Sequence, residues 1–145
     1  MKKILVGVDG SAREGAVVEA AVGLARRTGA KLVLFRAIGI PTELPADAYS
    51  IPPSEVQALL ERRAREAAQA LAAKLPSDLV AGVRVHVGSP WQQIDKAARE
   101  EDVDLIVIGS HGYDTFDRVL GTTAAKVVNH ADRSVLVVRA PERLA

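Results

Sequence analysis

Three glycines and two threonines near the C-terminal end are the residues of this chain best suited to chemistry. Gly109 and Gly112 bracket Ser110 and His111; Gly121 follows after Tyr113–Leu120, and Thr122 and Thr123 come directly behind it. Without a Cβ, glycine lets the backbone approach a ligand closely. An apolar run, Leu105–Ile108, leads into the first glycine, and a helical pattern, 122–131, leads away from the last. A helix opening on Gly-Thr-Thr presents unpaired N–H groups, two hydroxyls and the positive end of its dipole, a combination that suits phosphate. The pattern points to a nucleotide phosphate site.

What is missing from this helix start supports the same reading. Three other helical patterns open on serine with Glu or Gln three positions later: Ser11/Glu14, Ser54/Gln57 and Ser89/Gln92. Each is a capping box. The last helix has none, because Ala125 stands three beyond Thr122 and Lys126 three beyond Thr123. No acidic side chain would occupy its amides, and Lys126 adds positive charge. An ordinary threonine cap would leave the same trace, so the local sequence keeps both readings open.

Other constellations are weaker. Asp9 ends the first apolar run and would lie on the ligand side, where it could accept a hydrogen bond from an adenine amino group. Its alternative role is in an Asp-Gly turn. The chain lacks Gly-x-x-x-x-Gly-Lys-Ser/Thr, and Gly7-Val8-Asp9-Gly10 is not the Gly-x-Gly-x-x-Gly dinucleotide fingerprint. Ser110 and His111 are adjacent, whereas nucleophile–base pairs assemble across space. His86 and His130 are scattered, and Asp114 with Asp117 reads as a solvated stretch. Trp91 is expected to pack. Arg62, Arg63 and Arg65 sit among Glu61 and Glu66 as a solvated, ion-paired helix face. No metal ligand set is evident, and no general base, water-orienting Gln or arginine finger supports catalysis.

Composition sets bounds around these residues. A net charge of +1 gives no field to hold nucleic acid or an acidic membrane. With no cysteine there is no disulfide, thiolate metal site or cysteine nucleophile. No apolar run reaches the roughly 18 residues that span a bilayer. The opening apolar run breaks at Asp9-Gly10-Ser11, too early for a signal peptide, so a cytoplasmic protein is expected.

Strand and helix patterns alternate to position the site. Strands are expected at 3–8, 31–38, 83–87, 105–108 and 134–139, and helices from Ser11 to Thr28, from Ser54 to about Leu75, from Ser89 and over 122–131. Continuous apolar strands separated by helices imply a parallel sheet covered on both faces: an α/β three-layer sandwich of five strands, one domain over residues 1–145. Ligands in such sheets sit beyond the carboxyl ends of strands where the winding reverses. Asp9-Gly10, Ala37-Ile38-Gly39 and Gly109–Gly112 would then share one crevice. The proline-rich stretch Gly39–Pro53 is long enough to act as a lid.

These motifs resemble the universal stress proteins. Gly109-x-x-Gly112, a spacer and Gly121-Thr122 match the glycine motif of their ATP-binding members, and the spacer here is one residue shorter than usual. Lys3–Ser11 is similar to their opening strand, Asp104–Gly112 to their fourth strand and loop, and Ser134–Arg139 to their last strand. The resemblance implies an adenine-nucleotide alpha-hydrolase-like fold and ATP as ligand, with AMP or ADP as breakdown products and Mg2+ as an accompanying ion. It implies that Asp9 and the backbone near Ala37 meet adenine, and that Ile108 and Gly109 line adenine and ribose. Gly112, Gly121, Thr122, Thr123 and Ala124 would hold the phosphates. Ala124 stands where some relatives carry a hydroxyl, so one contact is lost, and the short spacer bears on nucleotide preference. The resemblance also implies a homodimer through the C-terminal strands and a regulatory role in the stress response toward an unidentified protein partner. The alternatives are a slow metal-dependent ATPase using Asp9 or His111, and a structural dimer that binds no nucleotide.

Overall fold

Aliphatic and β-branched runs form the strands, and alanine-rich amphipathic segments form the helices between them, in a computed structural model that describes residues 1–39, 52–110 and 120–139. The order is β1 (Lys3–Gly7), α1 (Glu14–Thr28), β2 (Lys31–Ile38), α2 (Pro53–Ala73), β3 (Val80–Val87), α3 (Pro90–Glu100), β4 (Leu105–Gly109), α4 (Thr122–His130) and β5 (Ser134–Val138). All four strand pairings are parallel, in the spatial order β3-β2-β1-β4-β5. The expected five-stranded parallel α/β sheet is therefore present. Its winding reverses between β1 and β4.

Successive side chains of a strand point to opposite faces, and the core divides accordingly. Ile4 and Val6 of β1 pack with Val17, Val18 and Ala21 of α1 and with Leu71 of α2. Leu5, together with Val33 and Phe35 of β2, packs with Ile94 and Ala97 of α3 and with Ala124 and Val127 of α4. Helices thus cover both faces, and strands buried on both faces need the unbroken apolar runs seen in the sequence. Among the described residues no helix is long and apolar enough to cross a membrane.

Strand and helix positions follow the sequence reading, but the expected capping boxes do not form. α1 starts at Glu14, with Arg13 as its N-cap and no side-chain cap. Glycine makes the preceding turn possible, since Gly10 has φ +76°. Asp9 Oδ1 accepts the Ser11 N–H at 2.9 Å, and Ser11 Oγ accepts the Arg13 N–H at 3.2 Å. The Glu14 carboxylate reaches past Ser11 to the Gly10 N–H at 2.8 Å. The turn thus uses up the groups expected to form a capping box. α2 starts one residue before Ser54, on Pro52-Pro53, whose fixed φ suits a helix start. Gln57 then bonds Glu61 along the helix instead of reaching back to a cap. Ser89 does occupy the N-cap of α3 with Pro90 behind it, yet its side chain makes no cap bond. At the other end of α1, Gly29 adopts φ 77° and its N–H bonds the Ala25 carbonyl, as Thr28-Gly29 suggests. β3 begins three residues earlier than its alternation suggests, because Val80 already pairs with Leu32. The lid reading of Gly39–Pro53 falls mostly outside the described residues.

Candidate functional site

Chain reversal at the centre of the sheet opens a cleft. From β1 the chain turns toward α1 on one face; from β4 it turns toward α4 on the other. A cavity of about 250 Å³ lies between them. Of the residues expected to bind, Asp9, Ala37, Ile108, Gly109, Gly121, Thr122, Thr123 and Ala124 all line it. Gly112 lies outside the described residues, as do His111, Asp114 and Asp117. The crevice shared by the ends of the first, second and fourth strands is thus formed.

Geometry at the start of α4 is specific. Gly121, in extended backbone, is the N-cap, so neither threonine caps the helix, and the cap residue itself supplies no side-chain bond. The Gly121 N–H donates to the Ser110 carbonyl at 2.7 Å and is spent on joining the two ends of the glycine segment. The first helical bond runs from the Ala125 N–H to the Gly121 carbonyl at 3.0 Å. The N–H groups of Thr122, Thr123 and Ala124 are therefore those that an α-helix leaves without intrahelical partners. No acidic residue stands in this first turn. Lys126 is exposed farther along α4 and does not line the cavity.

Asp9 serves the turn, through its Oδ1 and Ser11, and also stands at the cavity. The apolar part of the wall comes from Val17, Phe35, Ile94 and Ile108. Gly7 is part of the floor: a Cβ there would lie 2.9 Å from Ile108 Cγ2, so glycine alone fits between β1 and this side chain. Behind Phe35, the ring of His86 meets it edge-on, with centroids 5.1 Å apart and an 84° tilt. Burial, then the nearby Arg84 charge, holds the His86 pKa below its ordinary value. Gln93 Oε1 accepts from His86 Nδ1 across 3.2 Å. Trp91 packs, as expected, against the α3/α4 side of the core and the His130 ring.

Sequence reasoning missed several wall residues. Arg13, Glu14, Phe35, Pro90 and Ile94 come from three separate segments, and no spacing rule brings them together. Only Gly7 carried a signal, since a glycine inside an apolar strand marks a close approach. Among the described residues, no group of three or more His, Asp or Glu is placed to hold a metal ion.

The chain is similar to known proteins along nearly its whole length. A model of the universal stress protein family matches residues 1–139. A protein of Staphylococcus haemolyticus bearing that family name is 32% identical over 143 residues, which is 97% of this chain and 86% of the relative. Universal stress protein UspA from Lactobacillus plantarum superposes with a TM-score of 0.73 at 28% identity, covering 95% of this chain and 97% of that one. A universal stress protein solved in complex with cAMP superposes at 0.57 with 26% identity, covering 95% and 96%. The architecture is the adenine-nucleotide alpha-hydrolase-like fold.

Proposed function

The chain belongs to the universal stress protein family, and on that premise we propose that it is a cytoplasmic, ATP-binding regulatory protein whose residues 1–145 act as one domain. The observation that carries this reading is the start of α4, where the N-cap Gly121 offers no side chain, Thr122, Thr123 and Ala124 line the cavity and no acid stands in the first turn. Phosphate fits such a helix end.

The rest of the cavity fits a purine nucleoside. Val17, Phe35, Ile94 and Ile108 give an apolar slot for a base, Asp9 offers an acceptor for its amino group, and Ala37 brings backbone from β2. A volume of about 250 Å³ lies near the low end of small-ligand pockets, which begin at roughly 300 Å³. In this reading Ile108 and Gly109 meet adenine and ribose, and Gly112 and Gly121 let the phosphates approach. Mg2+ would arrive with a triphosphate. The relative solved with cAMP holds a ligand of the same adenine class.

Both carboxylates of the cavity bond backbone N–H groups, Asp9 to Ser11 and Glu14 to Gly10. They shape the turn, and we read ATP as an occupant that signals, not as a substrate turned over rapidly. The protein acts as a homodimer. β5 is an edge strand whose Leu136 is 38% exposed, and pairing two such edges antiparallel removes an association hazard.

The test is direct. Protein as purified is denatured, and the released small molecules are identified by mass spectrometry; ATP, or AMP and ADP from it, is expected. Calorimetric titration should give a Kd near the micromolar range, about −8 kcal/mol. No released nucleotide together with flat titrations for ATP, ADP and AMP would end the reading.

A further inference from the structure

The geometry points to Arg13 as the side chain that reads the phosphate of the bound nucleotide, an inference that rests on the nucleotide reading above. Three charged residues, Asp9, Arg13 and Glu14, line the described wall of the cavity. The two carboxylates are engaged with backbone N–H groups of their own turn. Arg13 is the one cation of that wall among the described residues. It is half-buried at the N-cap of α1, where φ −92° and ψ −9° place it on the last residue before the helix proper.

Its position across the sheet gives it this role. α1 packs on one face and α4 on the other, and the cavity lies between their starts. The guanidinium-bearing residue and the three α4 amides without intrahelical acceptors thus approach the same space from opposite sides. A phosphate on the α4 amides has oxygens left to pair, and a planar guanidinium is the side chain best matched to them. The two carboxylates give the wall a negative balance that the α4 dipole end only partly offsets. A phosphorylated ligand therefore depends on Arg13, whereas a nucleoside without phosphate does not.

Full-length protein and the variants Arg13→Gln and Arg13→Lys would be titrated with ATP, AMP and adenosine, adenosine by competition. Arg13→Gln should weaken ATP and AMP by about tenfold to a hundredfold, the range for a hydrogen bond to a charged group, and leave adenosine within about twofold. Arg13→Lys should recover part of the loss, since it restores charge without the planar fork. A salt titration should show a shallower dependence of ATP affinity in Arg13→Gln than in the unaltered protein. Equal losses for ATP and adenosine would make Arg13 a structural residue and overturn the inference, as would ATP affinity unchanged in Arg13→Gln. If the unaltered protein binds none of the three, the nucleotide reading itself fails and the inference falls with it.

Discussion

Placing a carboxylate in the first turn of α4, as in Thr123→Asp, should move stability and binding in opposite directions. Thr123 is the second residue of the helix, half-buried at the cavity, and Asp differs little from it in size. In the protein alone, the new acid faces the positive dipole end and amides that the helix leaves unbonded, because Gly121 caps with no side chain and the N–H groups of residues 122–124 have no helical acceptor. That placement is worth about 0.3–1 kcal/mol, so Tm should rise by roughly 1–3 °C for a chain of this size. With ATP the sign reverses. A phosphate seated on those amides would lie about 5 Å from the new carboxylate, where one pair of like charges at an effective dielectric of 20 costs about 3 kcal/mol. That is more than a hundredfold in Kd. The assay pairs thermal unfolding without ligand and calorimetry with ATP, each against Thr123→Asn as the uncharged control. A Thr123→Asp protein that binds ATP within threefold of the control would refute the assignment of these amides to phosphate.

Three further outcomes are expected. Gly7→Ala drives a Cβ to within 2.9 Å of the Ile108 side chain, 4% exposed, and overpacking of this kind should cost about 1–3 kcal/mol in urea unfolding and narrow the base slot; an unchanged midpoint would show that Ile108 swings aside freely. Arg133→Ala removes donors to the carbonyls of Ala98 (2.7 Å) and Val103 (3.2 Å), which tie the end of α3 and the start of β4 to the α4–β5 turn. The loss should be about 2–3 kcal/mol, and one below about 0.5 kcal/mol would show that water replaces those bonds. The Lys2 N–H, then the Lys3 N–H, holds the Asp104 carboxyl below its ordinary pKa, with bonds of 2.6 and 3.0 Å. Because the folded value is depressed, this contribution is complete above the ordinary carboxylate range and disappears as pH falls through the folded value. Asp104→Asn should therefore have lower Tm than the unaltered protein at neutral pH, with the gap closing in acid; a gap constant with pH would mean that the ionised carboxylate is not what matters.

The layout of strands and helices was legible because each parallel strand, covered on both faces, has to be an unbroken aliphatic run, as in Leu105–Ile108 and Lys31–Ile38. Part of the cavity wall was legible too, since Asp9, Ala37 and Gly109 follow from the ends of the strands that flank the reversal. Cap chemistry was not. Ser11, Ser54 and Ser89 carry the same local pattern, yet Pro52-Pro53 shifts one helix start, the Asp9–Gly10–Ser11 turn captures Glu14, and Ser89 holds its position without a side-chain bond. A residue competes for several backbone partners, and tertiary context decides among them. Arg13 and Phe35 escaped notice for another reason. They reach the cavity by convergence through space, and Arg13 looks like any solvated helix-start residue in one dimension.

The 2.7 Å bond from the Gly121 amide to the Ser110 carbonyl has an engineering consequence. It clasps the chain on either side of residues 111–119, so the register of α4 against β4 is fixed by the clasp and not by how many residues run between. The closure entropy of a chain segment rises only slowly with its length, about 0.6 kcal/mol per doubling, so an insertion between the two clasped residues should cost little. A reporter peptide or fluorescent domain grafted there is expected to leave the helix start in place and, under the proposed function, to report the occupancy of the cavity.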